Sequence, residues 1–228
     1  MTIPAAATAL PAFPSSAAGL LLPGPVGALE LACALPEADG ARAGIAIICH
    51  PHPLQGGTMT NKVVTTLERS LLDLGLATVR FNFRGVGQSE GVHDFGNGES
   101  DDLVAIAEWA RAQRPGAVLW LAGFSFGSYV ALRATARLQP AQLILIAPPV
   151  GRQDFSGIAA PACPWLIVQG EADEVVDPAA VFAWAGSVQP PPQLVRMPET
   201  SHFFHRRLLE LRNLVKDAVA GNLPPHAA

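Results

Sequence analysis

The amino-acid sequence predicts an α/β fold, in which a doubly wound, mostly parallel sheet is covered by helices on both faces. Half of the 228 residues are hydrophobic and only 15% are charged, a balance that suits strands buried on both sides. From about residue 44 onward, strand-like segments alternate with amphipathic helical ones. A chain of this length fits one domain and buries about three quarters of the surface that its unfolded form exposes.

The elements follow in chain order from the spacing of apolar residues. Apolar segments at residues 20–22 and 28–35 flank Pro23-Gly24-Pro25 and predict an antiparallel hairpin at one edge of the sheet. Asp177 followed by Pro178 is a favourable helix start, because aspartate caps and proline fits the first helical position. Strands are predicted at residues 45–49, 77–83, 117–122, 143–146, 165–168 and 194–197, and helices at 61–74, 99–112, directly after 125, from 177, and at 206–220.

Residues 1–18 are predicted to form an extended arm ahead of a single domain at residues 19–228. The arm has no basic segment, and its prolines break the helix that a signal peptide or a membrane span requires. We therefore expect a cytoplasmic protein with no membrane partner, and secretion is the alternative. The prolines are Pro4, Pro11 and Pro14, followed by Pro23 and Pro25.

Charge and cysteine content restrict the class of protein further. The net charge is −4 and no run of Lys or Arg occurs, which argues against a nucleic-acid partner. Cys33, Cys49 and Cys163 lie in apolar, strand-like segments without a C-x-x-C arrangement, so we expect reduced, buried thiols. Gly85-x-Gly87 is no dinucleotide fingerprint, because the next glycine comes one residue late, and no cofactor is expected.

The pentapeptide Gly123-Phe124-Ser125-Phe126-Gly127 joins a predicted buried strand to a predicted helix at a serine. At such a sharp reversal the serine is strained, and the flanking glycines remove Cβ atoms that would collide. The reversal exposes the hydroxyl at the carboxyl edge of the sheet, as a nucleophile elbow does. The alternative is an ordinary glycine-rich turn between a strand and a helix.

Two further features carry a resemblance to a known family. The segment Asn82-Phe83-Arg84-Gly85-Val86-Gly87-Gln88-Ser89 resembles a D-x-R-G-x-G-x-S loop, with Asn82 in place of the acid, which leaves any ion pair there open. Only residues 151–160 separate Pro149-Val150 from Pro161, at the point where larger relatives insert a cap. With the elbow, these features resemble the α/β-hydrolase superfamily from residue 18 onward, and most closely its small, lidless bacterial serine hydrolases. The resemblance implies a serine hydrolase with an open groove and no cap domain.

A serine hydroxyl needs a neighbouring base, and His202 is the best candidate. It follows the last predicted strand, at the sheet edge where the elbow opens, and the family places its histidine there. His205 is the local alternative, expected at the exposed start of the final helix. For His93, in a polar loop, and His226, in a tail expected to be frayed, a surface position is favoured.

The base needs an orienting carboxylate, and Asp173 is the preferred candidate. It follows the strand predicted at residues 165–168, in a segment that resembles the family's G-x-x-D turn. Glu171 and Glu174 are nearby alternatives, whereas Asp177 already has a role as an N-cap.

The oxyanion of acyl transfer requires two backbone N–H donors. The first is expected from Phe126, directly after the nucleophile, and the second from the loop at residues 50–57. Pro51 and Pro53 have no N–H. Alignment with the family's H-G-x pattern implies His52 as the donor, with Leu54 as second choice, and leaves His50 as an anchor of the loop.

The sequence therefore predicts a serine esterase that acts on small, short-chain esters through a Ser125-His202-Asp173 triad and needs no metal. Its groove is expected to be formed by Leu54, Phe124, Phe126 and Phe203. A thioesterase or lactone hydrolase with the same triad is the first alternative. A metal-dependent hydrolase built on the two histidine pairs, 50/52 and 202/205, and a hydrolase-fold binding protein without turnover are the others.

Overall fold

An eight-stranded, mostly parallel sheet runs through the centre of the molecule in the computed structural model, which describes residues 10–227. The strand order is β1-β2-β4-β3-β5-β6-β7-β8, and only the pairs β1/β2 and β2/β4 are antiparallel. The predicted fold class is thereby confirmed, including the antiparallel hairpin at one edge. The strands are β1 Ala18–Gly24, β2 Gly27–Ala34, β3 Gly44–Cys49, β4 Ala77–Phe81, β5 Val118–Phe124, β6 Gln142–Ile146, β7 Trp165–Gly170 and β8 Gln193–Met197.

The five α-helices of the described chain cover both faces of the sheet. Helices α1 and α5 pack on one face around Trp120, and α2, α3 and α4 pack on the other face around Leu121. Adjacent residues of β5 thus belong to different cores, as the alternation of side chains along a strand requires. The helices are α1 Lys62–Asp73, α2 Asn97–Gln113, α3 Phe126–Leu138, α4 Pro178–Ser187 and α5 Leu208–Val219.

Several predicted boundaries are wrong by about two residues, and the hydrogen bonds explain why. Strand β4 ends at Phe81 because the Phe83 N–H donates to the ring of His50 instead of to a neighbouring strand. Helix α2 begins before Glu99 because the Glu99 carboxylate accepts the Gly96 N–H at 2.8 Å and caps the helix. Helix α5 begins after Arg206, whose φ of 61° is not helical.

The N-terminal arm packs against helix α2 where the structure describes it. Trp109 Nε1 donates to the Pro11 carbonyl at 2.7 Å, and the ring of Phe13 stacks on Trp109 with centroids 5.6 Å apart. This part of α2 leads into the amino end of β5, whereas Ser125 follows the carboxyl end of that strand. The arm residues therefore lie at the end of the sheet opposite Ser125. Strand β1 begins at Ala18. The predicted arm residues 1–9 lie outside the described residues.

We expected a frayed C-terminal tail around His226, and that prediction is wrong. The side chain is exposed, but the backbone pairs with the segment before β3: Ala43 N–H donates to the Pro225 carbonyl and Ala227 N–H to the Ala41 carbonyl, both at 2.9 Å. The prediction for Cys163 also needs correction. It lies ahead of β7 and is only half-buried, whereas Cys33 and Cys49 are fully buried in strands.

The segment between β6 and β7, residues 147–164, contains no helix, which confirms that the fold has no cap domain. No helix within residues 10–227 is long and apolar enough to cross a membrane.

Candidate active site

Ser125 occupies a strained turn between the end of β5 and the start of α3. Its φ of 53° and ψ of −120° are unfavourable for a residue with a side chain. Hydrogen bonds hold the turn in place: Ser125 N–H donates to the Ile146 carbonyl at 2.8 Å, and Ser128 Oγ donates to the Gly123 carbonyl at 2.7 Å. The surrounding structure therefore stabilises the conformation that presents the serine hydroxyl.

The two glycines of the pentapeptide allow the close contacts that this turn requires. A Cβ atom on Gly123 would collide with the carbonyl group of Gly127. A Cβ atom on Gly127 would collide with the carbonyl oxygen of Cys49, at the end of β3. Both obstacles are backbone atoms, which cannot move aside as a flexible side chain can. The glycines are thus needed for packing rather than for a positive φ.

The structure brings together the three residues predicted to form a triad. His202 Nε2 lies 3.1 Å from Ser125 Oγ, and His202 Nδ1 lies 2.8 Å from Asp173 Oδ2. Because a carboxylate only accepts, the Nδ1–H donates to Asp173, and the lone pair of Nε2 faces the serine hydroxyl. All three residues are at least nine-tenths buried. This arrangement can take a proton from Ser125.

Asp173 is held by more donors than the histidine alone. Its Oδ1 accepts the N–H groups of Val175 at 2.8 Å and Val176 at 2.7 Å, and its Oδ2 also accepts from Gln169 Nε2 at 2.9 Å. Burial alone would raise the pKa of Asp173, but the hydrogen bonds from His202 and the two N–H groups outweigh it and hold that pKa below its ordinary value. The carboxylate therefore stays ionised beside the histidine.

The alternatives to Asp173 and His202 are placed elsewhere. Glu171 pairs with Arg196 at 2.8 Å, and Asp177 caps α4 by accepting from the N–H of the second helical residue. Glu174 accepts the backbone N–H of His202 at 3.1 Å, so it positions the loop instead of the ring. His205 is exposed in the turn before α5.

The residues of the two predicted oxyanion donors, Phe126 and His52, line the same cleft as Ser125. Within residues 10–227, no hydrogen bond takes up the backbone N–H of Phe126 or of His52. Leu54, the second choice, is excluded by its own hydrogen bond, because its N–H donates to His52 Nδ1 at 3.2 Å. The His52 carbonyl accepts from Gln55 and Gly57 and closes the loop. The two free N–H groups can stabilise a developing oxyanion.

His50 anchors this loop, as its position in the sequence predicted. Its Nδ1–H donates to the Pro51 carbonyl at 2.6 Å, and its Nε2 accepts the Phe83 N–H at 3.0 Å. The side chain is fully buried, and burial lowers the pKa of His50 to about 4. Protonation would place a second ring N–H against the Phe83 N–H, so the native state requires the neutral ring.

This arrangement predicts a loss of stability in acid. The folded-state pKa of His50 lies below its ordinary value, so the unfolded chain takes up a proton first as the pH falls. The full stabilisation from the neutral His50 ring is present above pH 6.5. As the pH falls from 6.5 to 4, the free energy of unfolding decreases by an amount on the order of 3 kcal/mol. Urea unfolding of wild type and His50→Gln across this range should show a smaller pH dependence in the variant. Equal slopes would contradict the prediction.

The cleft beside Ser125 has a volume of about 150 Å³, and its walls differ from those predicted. Phe124 is fully buried beneath the His202 ring, with centroids 5.0 Å apart, so the prediction that it contacts substrate is wrong. Leu54 and Phe203 are exposed but do not line this cleft. The lining residues are His52, Gln55, Ser125, Phe126, Pro149, Arg152, Gln153 and Val175.

Sequence reasoning missed the wall formed by Pro149, Arg152 and Gln153, which follows β6. A signal for it existed: β6 is parallel to β5, and the carboxyl ends of parallel strands meet at one sheet edge. The loop after β6 was therefore a candidate for contact with the loop that carries Ser125.

The predicted surface position of His93 is wrong, because its side chain packs beside the cleft. Its side chain is 5% exposed, and its Nδ1 lies 2.7 Å from Glu99 Oε1. The ring lies 5.0 Å from that of His52 and 5.3 Å from that of Phe126, measured between centroids. It thus contacts both residues that are predicted to supply the oxyanion donors.

An ion pair does form in the loop after β4, although Asn82 replaces the acid of the family pattern. Arg84 donates to both carboxylate oxygens of Asp102, on α2, at 2.8 and 2.7 Å, and both side chains are buried. Asn82 instead donates to Glu30 at 2.7 Å and accepts the Met59 N–H at 2.9 Å. The loop is therefore fixed to α2 and to β2.

No group of three or more His, Cys, Asp and Glu side chains in the described chain is arranged to hold a metal ion. The histidine pairs of the metal-site alternative do not converge with a carboxylate into such a group.

Comparison with known proteins assigns the chain to a family. Residues 28–159 match the family model described as X-Pro dipeptidyl-peptidase (S15 family). The crystal structure of XC6422 from Xanthomonas campestris, described as an α/β serine hydrolase without a lid, is 56% identical, with a TM-score of 0.92 over 95% of this chain and 100% of that one. An α/β serine hydrolase homologue from Coxiella burnetii is 47% identical, with a TM-score of 0.87 over 90% of this chain and 99% of that one.

A curated relative supports the same assignment. The uncharacterized protein RP471 of Rickettsia prowazekii is 40% identical over 158 residues, 67% of this chain and 66% of the relative. This chain therefore spans just under two thirds of the length of that relative. The chain belongs to the S15 family of the α/β hydrolases, and it is a serine hydrolase of the kind that has no lid.

Proposed function

We propose that this protein is a serine esterase that cleaves small esters through an acyl-enzyme. Ser125 Oγ attacks the ester carbonyl carbon while its proton moves to His202 Nε2, and the oxyanion accepts hydrogen bonds from the N–H groups of Phe126 and His52. The tetrahedral intermediate expels the alcohol, which takes the proton from His202. Water then attacks the acyl-enzyme by the same route, and the acid is released with Ser125 restored.

One observation carries the proposal: the hydrogen-bonded chain from Asp173 through His202 to Ser125 ends at a cleft with two free N–H groups. A nucleophile, a base with a fixed tautomer and an oxyanion site are the parts that acyl transfer needs.

The cleft favours an ester over the peptide substrate that the family description names. A dipeptidyl-peptidase has to bind the free ammonium group of its substrate, for which a carboxylate is the natural partner. No Asp or Glu is among the residues that line the cleft, and its one formally charged residue is Arg152. A thioesterase or lactone hydrolase would use the same groups and is the second candidate.

Labelling with a fluorophosphonate tests the proposal directly, because the reagent captures an activated serine. We expect one adduct on Ser125 and none on Ser125→Ala, together with hydrolysis of short-chain esters. A protein that is not labelled, or ester hydrolysis that survives in Ser125→Ala and is abolished by EDTA, would exclude a serine mechanism.

The small, uncovered cleft predicts a preference for short acyl chains. Each methylene that the cleft buries adds about 0.8 kcal/mol of binding, or about fourfold in kcat/KM. The gain should stop at about six carbons, where further methylenes remain in water. Measuring kcat/KM over a series of acyl lengths, below and above the solubility limit, checks this. A steady rise through long chains, or a jump in rate at an oil–water interface, would contradict it.

A further inference from the structure

Arg152 is the one residue with a permanent charge in the wall of the cleft. The other lining residues are neutral amides, apolar residues, Ser125 and His52. Burial and the neighbouring His93 lower the pKa of His52, so its ring adds no positive charge at neutral pH. The charge that a bound substrate meets there therefore comes from a guanidinium group.

This guanidinium has no carboxylate partner within residues 10–227. The acid closest in the chain, Asp154, accepts the Ser156 N–H at 2.8 Å, and neither Asp154 nor Arg152 takes part in an ion pair of the described residues. Six of the twelve other arginines pair with a carboxylate. Those paired with a carboxylate are Arg80, Arg84, Arg137, Arg196, Arg207 and Arg212.

The turn that carries Arg152 is held by its own backbone. The N–H groups of Arg152 and Gln153 both donate to the Pro149 carbonyl at 3.0 Å, and Val150 forms a bridge with Gln153. Gly151 supplies the φ of 81° that the turn needs. The turn therefore holds the Arg152 backbone beside the cleft, and the guanidinium reaches its wall from there.

We propose that the preferred substrates are esters that carry a carboxylate, which Arg152 binds while Ser125 attacks the ester carbonyl. This inference rests on the proposed esterase function and specifies its substrate class. The planar guanidinium matches a carboxylate in a two-point hydrogen bond, and the amides of Gln55 and Gln153 offer further N–H donors in the same wall. No acidic side chain lines the cleft to repel such a substrate.

Matched pairs of esters test the proposal, with hydrolysis followed by pH-stat. On the acyl side, monomethyl succinate is compared with methyl butyrate, and on the alcohol side 3-acetoxypropanoate with propyl acetate. We expect the wild type to favour the charged member of at least one pair by about tenfold in kcat/KM at low salt, and less at high salt, since Arg152 is exposed. The pair that shows the preference identifies which half of the ester faces Arg152.

Variants at position 152 test whether Arg152 causes the preference for the charged esters. Arg152→Gln should lower the charged-to-neutral ratio of kcat/KM about tenfold, and Arg152→Lys should retain part of it. Arg206→Gln is the matched control, because Arg206 lines a separate groove along α5, and it should leave the ratio unchanged. No preference in either pair, or a ratio that Arg152→Gln leaves intact, would overturn the inference while esterase activity stands. Wild-type protein that hydrolyses none of the four esters and takes no fluorophosphonate label would overturn the proposed function, and the inference with it.

Discussion

Ser125→Ala, His202→Ala and the double variant are expected to lose the same several powers of ten in kcat. In the proposed mechanism the histidine takes the proton of the serine, over the 3.1 Å between Nε2 and Oγ. Once either group is removed, the other has no partner in the reaction, and the second substitution costs nothing more. Single-turnover hydrolysis of a short-chain ester by the three variants measures this directly.

His205→Ala is the matched control, because that histidine is exposed and lies three residues beyond His202. It should retain wild-type activity. Additive losses in the double variant would show that Ser125 and His202 act in separate steps. A large loss in His205→Ala would show that His205, and not His202, is the base.

Asp173→Asn is expected to lower kcat by roughly 10⁴, the cost of presenting the wrong histidine tautomer. The four hydrogen bonds to Asp173 all come from N–H donors. An amide NH₂ in place of one oxygen would face a donor, and the variant should also unfold about 1–3 kcal/mol more easily. Activity and urea unfolding are measured on the same preparation, so that lost activity in folded protein can be separated from unfolding.

Glu171→Gln is the control for this prediction. Glu171 is two residues away and pairs with an exposed arginine, so the substitution should change kcat and stability little. An Asp173→Asn variant that remains folded and keeps wild-type activity would remove Asp173 from the mechanism.

The sequence predicted the residues whose position follows from local chain geometry. Ser125 lies between a buried strand and a helix, and His202 and Asp173 follow two strands of a parallel sheet, so all three were expected at one edge before any distance was known. Hydrophobic patterning locates the buried strands, because burial on both faces requires continuous apolar segments, but the predicted carboxyl ends of β4, β5 and β7 are each wrong by two residues.

Features that depend on packing between distant loops were not predictable in the same way. His93 looked like a surface residue because its neighbours are polar, yet the fold buries it against His52 and Phe126. Phe124 looked like a groove residue because it adjoins Ser125, yet the alternation of side chains along β5 directs it beneath His202. The position of Arg152 depends on a turn whose bonds the sequence pattern did not reveal.

In the proposed mechanism, the loop after β6 contacts the substrate but takes no part in the reaction itself. Its first residue, Ala147, is bound to β7 through the Val168 carbonyl at 2.9 Å, and the Ile146 carbonyl holds Ser125. Beyond this point, residues 149–153 contribute to the wall but supply no member of the triad and no oxyanion donor. Libraries that randomise or lengthen this short segment should therefore yield enzymes with new selectivity and an undisturbed reaction centre, which makes the protein a convenient scaffold for directed evolution.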